Sequence, residues 1–442
     1  KVLEQGRGTV WSTIVGTGRN WAELDSLDLE LATELRAMQA RFKDIYSTRG
    51  RASVIPTDQR VALSQSWRSA ITRLQSVTPN FALDDFEIAE LQAWLDPEEL
   101  IVVINCSSLR SDALCISDRA ISIVSLPKIS TASVARQLSK FHGSYAPWVS
   151  PSKRDKRVSA VLDWLWRTIA APLMANDECG FAAAQQVTWC PTGLLGLLPI
   201  HAADDRASGS NLQDLKTSSY IPTLAALKRS RSRAAKNQHD SSARDSFLVV
   251  AGAESSSSSS NRLEFVEAEV GALEAVLPDS EILTGPSATA EAVLSRIANV
   301  DSIHFSCHGV VDTDEPFNSG LEMFDARLTI CNLSGSGAAG RLAFLSACES
   351  AVGSVQNADE LVSLASALQF AGWQEVIATF APVRDDIAAE TARIFYERLK
   401  DSVDSGRLPE ARSLIAHATR QIRSRWPDRP SHWAPFAHFG SS

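Results

Sequence analysis

A histidine and a cysteine, His308 and Cys348, each follow a short apolar run that ends abruptly. Residues 302–306 lead to His308 and Gly309, and residues 342–345 lead through two small residues to Cys348. Runs of this length predict buried strands, and neighbouring parallel strands carry their chemistry at their carboxyl ends. The separation of the two residues leaves room for the crossover that parallel neighbours need. The spacing therefore predicts an imidazole beside a thiol.

Such a pair is suited to nucleophilic catalysis. A thiol attacks as the thiolate, and a neighbouring imidazole lowers its pKa. The same imidazole can then protonate a leaving amine. We therefore predict that His308 is the general base and Cys348 the nucleophile, with the backbone N–H groups of Gly309 and Cys348 as an oxyanion hole. Residue types by themselves leave an alternative open, in which both side chains are ordinary parts of the core.

The other histidines and cysteines of these runs are interpreted as structural. His304 lies in the middle of a predicted strand, and alternation turns the Cys307 side chain away from that of His308. His304 and His308 have H-x-x-x-H spacing, but on a strand and with no accompanying cysteine pair. We therefore expect neither a metal site nor a cofactor. A structural role is also expected for His201, because His201 and the nearest cysteine lie on one strand–loop segment rather than on two adjacent strands.

The composition is that of an ordinary globular protein, with 442 residues, 44% hydrophobic and 21% charged. A net charge of −9 argues against a nucleic-acid partner, and no run reaches the roughly 18 apolar residues of a membrane helix, so no membrane insertion is expected. The seven cysteines include no C-x-x-C, which favours free thiols in a reducing, cytoplasmic location. Because the chain begins with Lys1 rather than Met, we expect it to be a fragment of a longer protein.

Four regions follow from the pattern along the chain. They are a helical region (1–97), a first α/β block (98–227), a basic, serine-rich flexible linker (228–245) and a second α/β block (246–442). Alternating strands and helices in the two blocks predict a mostly parallel sheet covered by helices on both faces.

Several segments of the sequence resemble those of one protein family. H304-F-S-C-H-G309, L342-A-F-L-S-A-C-E349, 365–378 and W433-A-P-F-A-H-F-G440 are similar to the CHAT peptidases, which belong with separases and caspases in a caspase-like clan of cysteine proteases. Upstream, 4–11, 188–202 and 219–229 resemble proteins in which a CHAT domain follows TPR repeats. The resemblance implies an α/β, caspase-like protease domain at 246–442, a pseudo-protease α/β half at 98–227, and the end of a TPR-like array within 1–97. It also implies a metal-free His308–Cys348 dyad.

The resemblance extends to specificity. After the predicted strand at 376–381, Asp385 falls where separases carry an acidic residue that holds an arginine side chain beside the scissile bond. This implies a basic P1 residue in a pocket formed by Asp385, with Asp386 and Glu349 as further candidates. The alternative is that Asp385 and Asp386 cap the following helix. The acidic segment 312–325 is expected to be a loop, facing either the substrate or solvent.

These observations predict a cysteine endopeptidase that cleaves a protein or peptide substrate. A protease in a reducing compartment must be kept inactive until it is needed. We therefore expect a regulatory protein partner, acting through the N-terminal helices, that shifts the two residues of the dyad into their reactive arrangement. The alternative function is a catalytically silent caspase-like module that serves as a scaffold for protein interactions.

Overall fold

The computed structural model describes residues 25, 28–37, 73, 88–237, 246–252, 266–312, 318–336, 339–346, 363–404 and 410–441. Most of the helices predicted before residue 88 lie outside these ranges. Residues 29–37 are helical, and Leu31 and Leu35 are buried, as their helical spacing predicts. Within the described ranges, no helix combines the length and the apolar character needed to cross a membrane.

The first half of the chain consists of short strands and the helices that connect them. In order these are α1 (Ile88–Gln92), β1 (Glu99–Cys106), β2 (Ser111–Ile116), β3 (Ile121–Ser125), α2 (Thr131–His142), α3 (Pro151–Leu165), α4 (Ala171–Met174), β4 (Gln186–Pro191), β5 (Asp204–Asp205), β6 (Ser210–Asn211), α5 (Leu212–Leu215), β7 (Thr217–Tyr220) and α6 (Leu224–Asn237).

The second half alternates strands and helices more regularly. Its elements are β8 (Phe247–Ala251), α7 (Val266–Val276), β9 (Glu281–Thr284), α8 (Ala290–Ile297), β10 (Ser302–Ser306), β11 (Gly309–Val310), β12 (Gly320–Glu322), β13 (Arg327–Thr329), α9 (Ile330–Gly335), β14 (Leu342–Leu345), α10 (Leu364–Ala371), β15 (Glu375–Thr379), α11 (Asp385–Asp404), α12 (Ala411–Arg425), α13 (Pro430–Trp433) and β16 (Phe436–Gly440).

Across the described residues, eleven strands form one continuous sheet in the order β3-β2-β1-β4-β7-β16-β15-β14-β10-β8-β9. Most neighbours are parallel, and antiparallel pairing occurs at the β3-β2-β1 edge and between β15 and β16. The strands of a mostly parallel sheet are apolar on both sides, so helices must cover both faces of the sheet. The prediction of a mostly parallel α/β sheet is therefore confirmed.

Strand β1 illustrates how the two faces are covered. Val102 belongs to the main core together with Val161 of α3. Val103 points to the opposite face and packs in a second cluster with Leu91 of α1 and Leu227 of α6. Successive side chains of a strand alternate between faces, so a continuous apolar run serves both layers.

The C-terminal strand β16 joins the two halves, because it lies between β7 of the first half and β15 of the second. The Ser219 hydroxyl on β7 lies 2.7 Å from His438 Nδ1 and donates a hydrogen bond to the Gly440 carbonyl, also at 2.7 Å. Beside the sheet, the Ser431 hydroxyl donates to the buried Asp155 carboxylate at 2.6 Å. The first α/β half and the following domain are thus parts of one sheet with a shared core.

The segment 228–245 differs from the flexible linker that its composition predicts, because residues up to Asn237 continue helix α6. The Arg231 guanidinium lies 2.5 Å from the Glu99 carboxylate, and these side chains are 11% and 4% exposed. A basic residue is buried here because a carboxylate of β1 neutralises it. The remaining residues, 238–245, lie outside the described ranges.

Gly440, the last residue of β16, has no room for a side chain. Its φ is +128°, and a Cβ would lie 2.0 Å from the Gln374 carbonyl oxygen. Gly209 also has a positive φ, +73°, but nothing lies within 4 Å of its Cβ position. Both Gly→Ala variants carry about 1–3 kcal/mol of backbone strain. Gly440→Ala adds a collision worth about 1–3 kcal/mol.

We therefore expect Gly440→Ala to lower the free energy of unfolding more than Gly209→Ala does. Urea unfolding followed by tryptophan fluorescence measures both variants. Equal losses of stability would show that the neighbourhood of Gly440 relaxes to accept a methyl group.

Candidate active site

Three neighbouring strands, β10, β14 and β15, run parallel and end at one edge of the sheet. His304 of β10 is opposite Phe344 of β14, which in turn is opposite Ile377 of β15. His308 follows β10 by two residues and is half-buried at this edge. The sheet therefore presents the predicted base at the carboxyl end of its strand, where α/β folds position their ligands.

The backbone around His308 is held from several sides. The Ser306 carbonyl accepts a hydrogen bond from the Gly252 N–H at 3.0 Å, and the His308 carbonyl accepts one from the Glu322 N–H at 2.9 Å. A Cβ on Gly252 would lie 2.9 Å from the Cys307 Cβ, so only glycine allows this close approach. These contacts fix the path of the chain on both sides of His308.

Gly309, predicted as an oxyanion-hole donor, begins β11, which pairs with β12 and, through it, with β13. The segment 312–325 was expected to be a loop, and part of it instead forms strand β12. The Asp312 N–H donates to the Ser319 hydroxyl at 2.9 Å, and the Asn318 amide donates to the Asp312 carboxylate at 3.1 Å. Antiparallel pairing with β11 and β13 explains why residues 320–322 form a strand instead.

The predicted nucleophile, Cys348, and the pocket candidate Glu349 lie outside the described residues, which resume at Ser363. The chain is described up to Ser346, where the Ser346 N–H donates to the Phe305 carbonyl of β10 at 2.8 Å. The β10–β14 pairing thus continues to within two residues of Cys348.

Asp385 and Asp386 open helix α11, just beyond the carboxyl end of β15. Asp386 forms a bidentate ion pair with Arg384, with N–O distances of 2.9 and 2.7 Å. Partial burial raises the pKa of Asp386, but the Arg384 guanidinium outweighs this effect and holds the pKa below its ordinary value. Asp385 is half-buried at the same helix start. A guanidinium of the chain itself, that of Arg384, thus already pairs with one of the predicted pocket carboxylates, Asp386.

A buried polar cluster beneath this edge was not predicted. Glu269 of α7, 4% exposed, accepts a hydrogen bond from the Ser306 hydroxyl at 2.5 Å. Its other oxygen lies 3.2 Å from His304 Nε2, within ion-pair distance but without hydrogen-bond alignment. His304 Nδ1 lies 3.1 Å from the Tyr396 hydroxyl of α11.

The sequence did contain a signal for this cluster. Val266, Val270 and Leu273 lie at helical spacing on the buried face of α7, and Glu269 occupies the same stripe. A carboxylate on the apolar stripe of a helix requires a polar partner in the core. The sequence does not reveal which strand supplies that partner.

The remaining side chains discussed above lie in the core as predicted. Cys307 is 2% exposed, and His304 is fully buried. His201 is buried against Tyr220, and its burial lowers its pKa to about 4. Among the described residues, no group of three or more His, Cys, Asp or Glu side chains is arranged to hold a metal ion.

The large, mostly parallel sheet with helices on both faces is the caspase-like fold of separase. Two crystal structures of the Saccharomyces cerevisiae separase–securin complex match 97% and 94% of this chain, with TM-scores of 0.54 and 0.55 and sequence identities of 12% and 10%. The chain spans about a third of those chains, 34% and 36% of their length. A weaker likeness, with a TM-score of 0.42 and 9% identity over 70% of this chain and 74% of the other, is to the Arg-specific cysteine proteinase gingipain R.

This chain belongs to the CHAT domain family. The family model matches residues 159–441, which is more than half of the sequence and begins within the first α/β half. No curated protein matches the chain significantly. The family and the fold together define a protein with the caspase-like cysteine protease fold.

Proposed function

We propose that the protein is a cysteine endopeptidase in which His308 is the general base and Cys348 the nucleophile. The observation that supports this most directly is the pairing of β10 with β14. β10 leads into His308, and β14 ends at Leu345, three residues before Cys348. The hydrogen bond from Ser346 to Phe305 keeps the two strand ends adjacent. The proposal also agrees with the caspase-like protease class of the family.

The dyad would act by acyl transfer. His308 takes the proton of the Cys348 thiol, and the sulfur attacks the scissile carbonyl carbon to form a C–S bond. The tetrahedral oxyanion accepts hydrogen bonds from the N–H groups of Gly309 and Cys348. Collapse breaks the C–N bond while His308 protonates the leaving amine. Water, deprotonated by His308, then releases the acid and restores the thiol.

We propose a basic P1 residue, held by Asp385. The parallel ends of β10, β14 and β15 put the start of α11 on the same edge of the sheet as His308. The resemblance to separases points to Asp385, and Asp386, which pairs with Arg384, is the second candidate. An arginine side chain matches a carboxylate with two parallel hydrogen bonds, which gives both strength and orientation.

Regulation by a protein partner is a further part of the proposal. In the matched crystal structures, separase is in complex with securin. For this chain, a partner acting through the N-terminal helices would shift the population between two arrangements of the dyad. The isolated chain would then have a basal activity that rises in the presence of that partner.

A covalent probe tests the catalytic assignment. A biotinylated peptide acyloxymethyl ketone that ends in arginine should label the protein, and mass spectrometry should place the label on Cys348. Cys348→Ala should abolish labelling, whereas Cys331→Ala, which removes a buried thiol of α9, should leave it unchanged. Labelling that persists in Cys348→Ala would disprove the nucleophile assignment. A folded wild-type protein that resists the probe and cleaves no peptide would support a silent scaffold.

A further inference from the structure

The buried polar cluster beneath the edge of the sheet where β10 ends connects three elements. Glu269 comes from α7, Ser306 and His304 from β10, and Tyr396 from α11. All four side chains are almost completely removed from solvent. Buried polar groups of this kind constrain geometry because each must keep its hydrogen-bonding partner.

The hydrogen bonds indicate how protons are distributed in the cluster. Burial and the nearby Glu269 carboxylate hold the pKa of Tyr396 well above its ordinary value, so the phenol keeps its proton. It can therefore donate to His304 Nδ1, while His304 Nε2 faces Glu269. The Ser306 hydroxyl donates to the second carboxylate oxygen. The cluster is thus held by two hydrogen bonds and by the 3.2 Å approach of His304 Nε2 to Glu269.

The cluster acts on the residue where β10 ends. Ser306 is the last residue of the strand and precedes His308 by two positions. Its carbonyl is bonded to Gly252 and its hydroxyl to Glu269. The neighbouring Phe305 carbonyl binds the Ser346 N–H, where the chain continues toward Cys348. The Glu269–Ser306 hydrogen bond therefore anchors the carboxyl end of β10, which leads to His308.

We propose that Glu269 is a positioning residue for His308, acting through its hydrogen bond to Ser306 and its contact with His304. This inference rests on the proposed role of His308 as the base. Glu269 does not touch the reacting atoms, and its effect comes from fixing where β10 ends. Because α11 carries both Tyr396 and Asp385, the same cluster also ties the base strand to the helix of the pocket.

A double-mutant cycle tests the contact. Ser306→Ala removes the hydroxyl, and Glu269→Gln removes the charge while keeping the shape. Each should lower kcat about 10- to 100-fold with KM within about twofold, since displacements near 1 Å can cost two orders of magnitude. The double variant should be no worse than the more damaging single variant, because both remove one interaction. Ser302→Ala is the matched control, since Ser302 is equally buried on the same strand but bonds Asp301.

A second readout does not depend on cleavage. The protein labelled with ¹³Cε1-histidine gives one signal per imidazole, and His308→Gln identifies the signal of His308 among the eight histidines. Ser306→Ala and Glu269→Gln should shift this signal, and Ser302→Ala should not. If the wild type cleaves no peptide but the shifts occur, the positioning role stands and the proposed function fails.

The proposal is overturned if the His308 signal and kcat are unchanged in folded Ser306→Ala. It is also overturned if Ser302→Ala has an equal effect, which would indicate a general loss of strand stability. Should Glu269→Gln fail to fold, Ser306→Ala decides the question, because it removes a single hydroxyl.

Discussion

Replacement of His308 with glutamine should lower kcat/KM for peptide cleavage by about 10²–10⁴-fold, the usual contribution of a general acid–base group. Glutamine approximates the size of imidazole but cannot exchange a proton at neutral pH. The loss should lie mainly in kcat, because the role proposed for His308 concerns the thiol and the leaving amine rather than substrate binding. Steady-state kinetics with a fluorogenic peptide measure both parameters.

Alkylation separates the two functions of the imidazole. Without a neighbouring imidazole the Cys348 thiol loses its thiolate character, so iodoacetamide should modify Cys348 more slowly in His308→Gln. His417→Gln is the control, since His417 lies on α12 with its Nε2 3.0 Å from Gln421 Nε2. Cleavage within threefold of wild type in a folded His308→Gln protein would exclude His308 as the base.

Replacement of Asp385 with asparagine should lower kcat/KM for substrates with arginine at P1 by at least about 30-fold. This corresponds to the 2 kcal/mol or more lost when one partner of a desolvated ion pair is removed. Cleavage of a peptide with citrulline at P1 should change little, because citrulline has the shape of arginine without its charge. Kinetics with the two matched peptides isolate the contribution of the carboxylate.

The same substitution separates the pocket from helix capping. Asparagine caps a helix about as well as aspartate does, so Asp385→Asn should unfold at the same urea concentration as wild type. Asp386→Asn is the control, because its carboxylate pairs with Arg384, and it should leave the arginine preference intact. An unchanged preference in Asp385→Asn would assign the residue to capping and the pocket to another group.

Most individual strands and helices of the second half could be predicted from the sequence. The run before His308 forms β10, and the helix predicted after residue 384 is α11. Such segments are encoded locally, because burial of a strand or of one helix face requires apolar residues at a fixed period. The family resemblance agrees with the match over 159–441.

The order of the strands could not be predicted in the same way. β16, the last strand in the chain, lies in the middle of the sheet between β7 and β15. Its apolar composition fits any buried position, and its neighbours are chosen by packing between distant segments. The basic composition of 228–237 did not reveal the helix there for the same reason, since Glu99, which pairs with the largely buried Arg231, lies more than a hundred residues away.

The sequence by itself supplied the hypothesis about chemistry, because the spacing of His308 and Cys348 predicts a dyad and the resemblance to separases implies a pocket carboxylate at Asp385. The tertiary structure decided which of the described elements lie together and which contacts hold them. It brought β10, β14 and β15 to one edge, paired Asp386 with Arg384, and set Glu269 against Ser306. Contacts between side chains far apart in the sequence depend on the packed geometry of the whole sheet, which no local pattern contains.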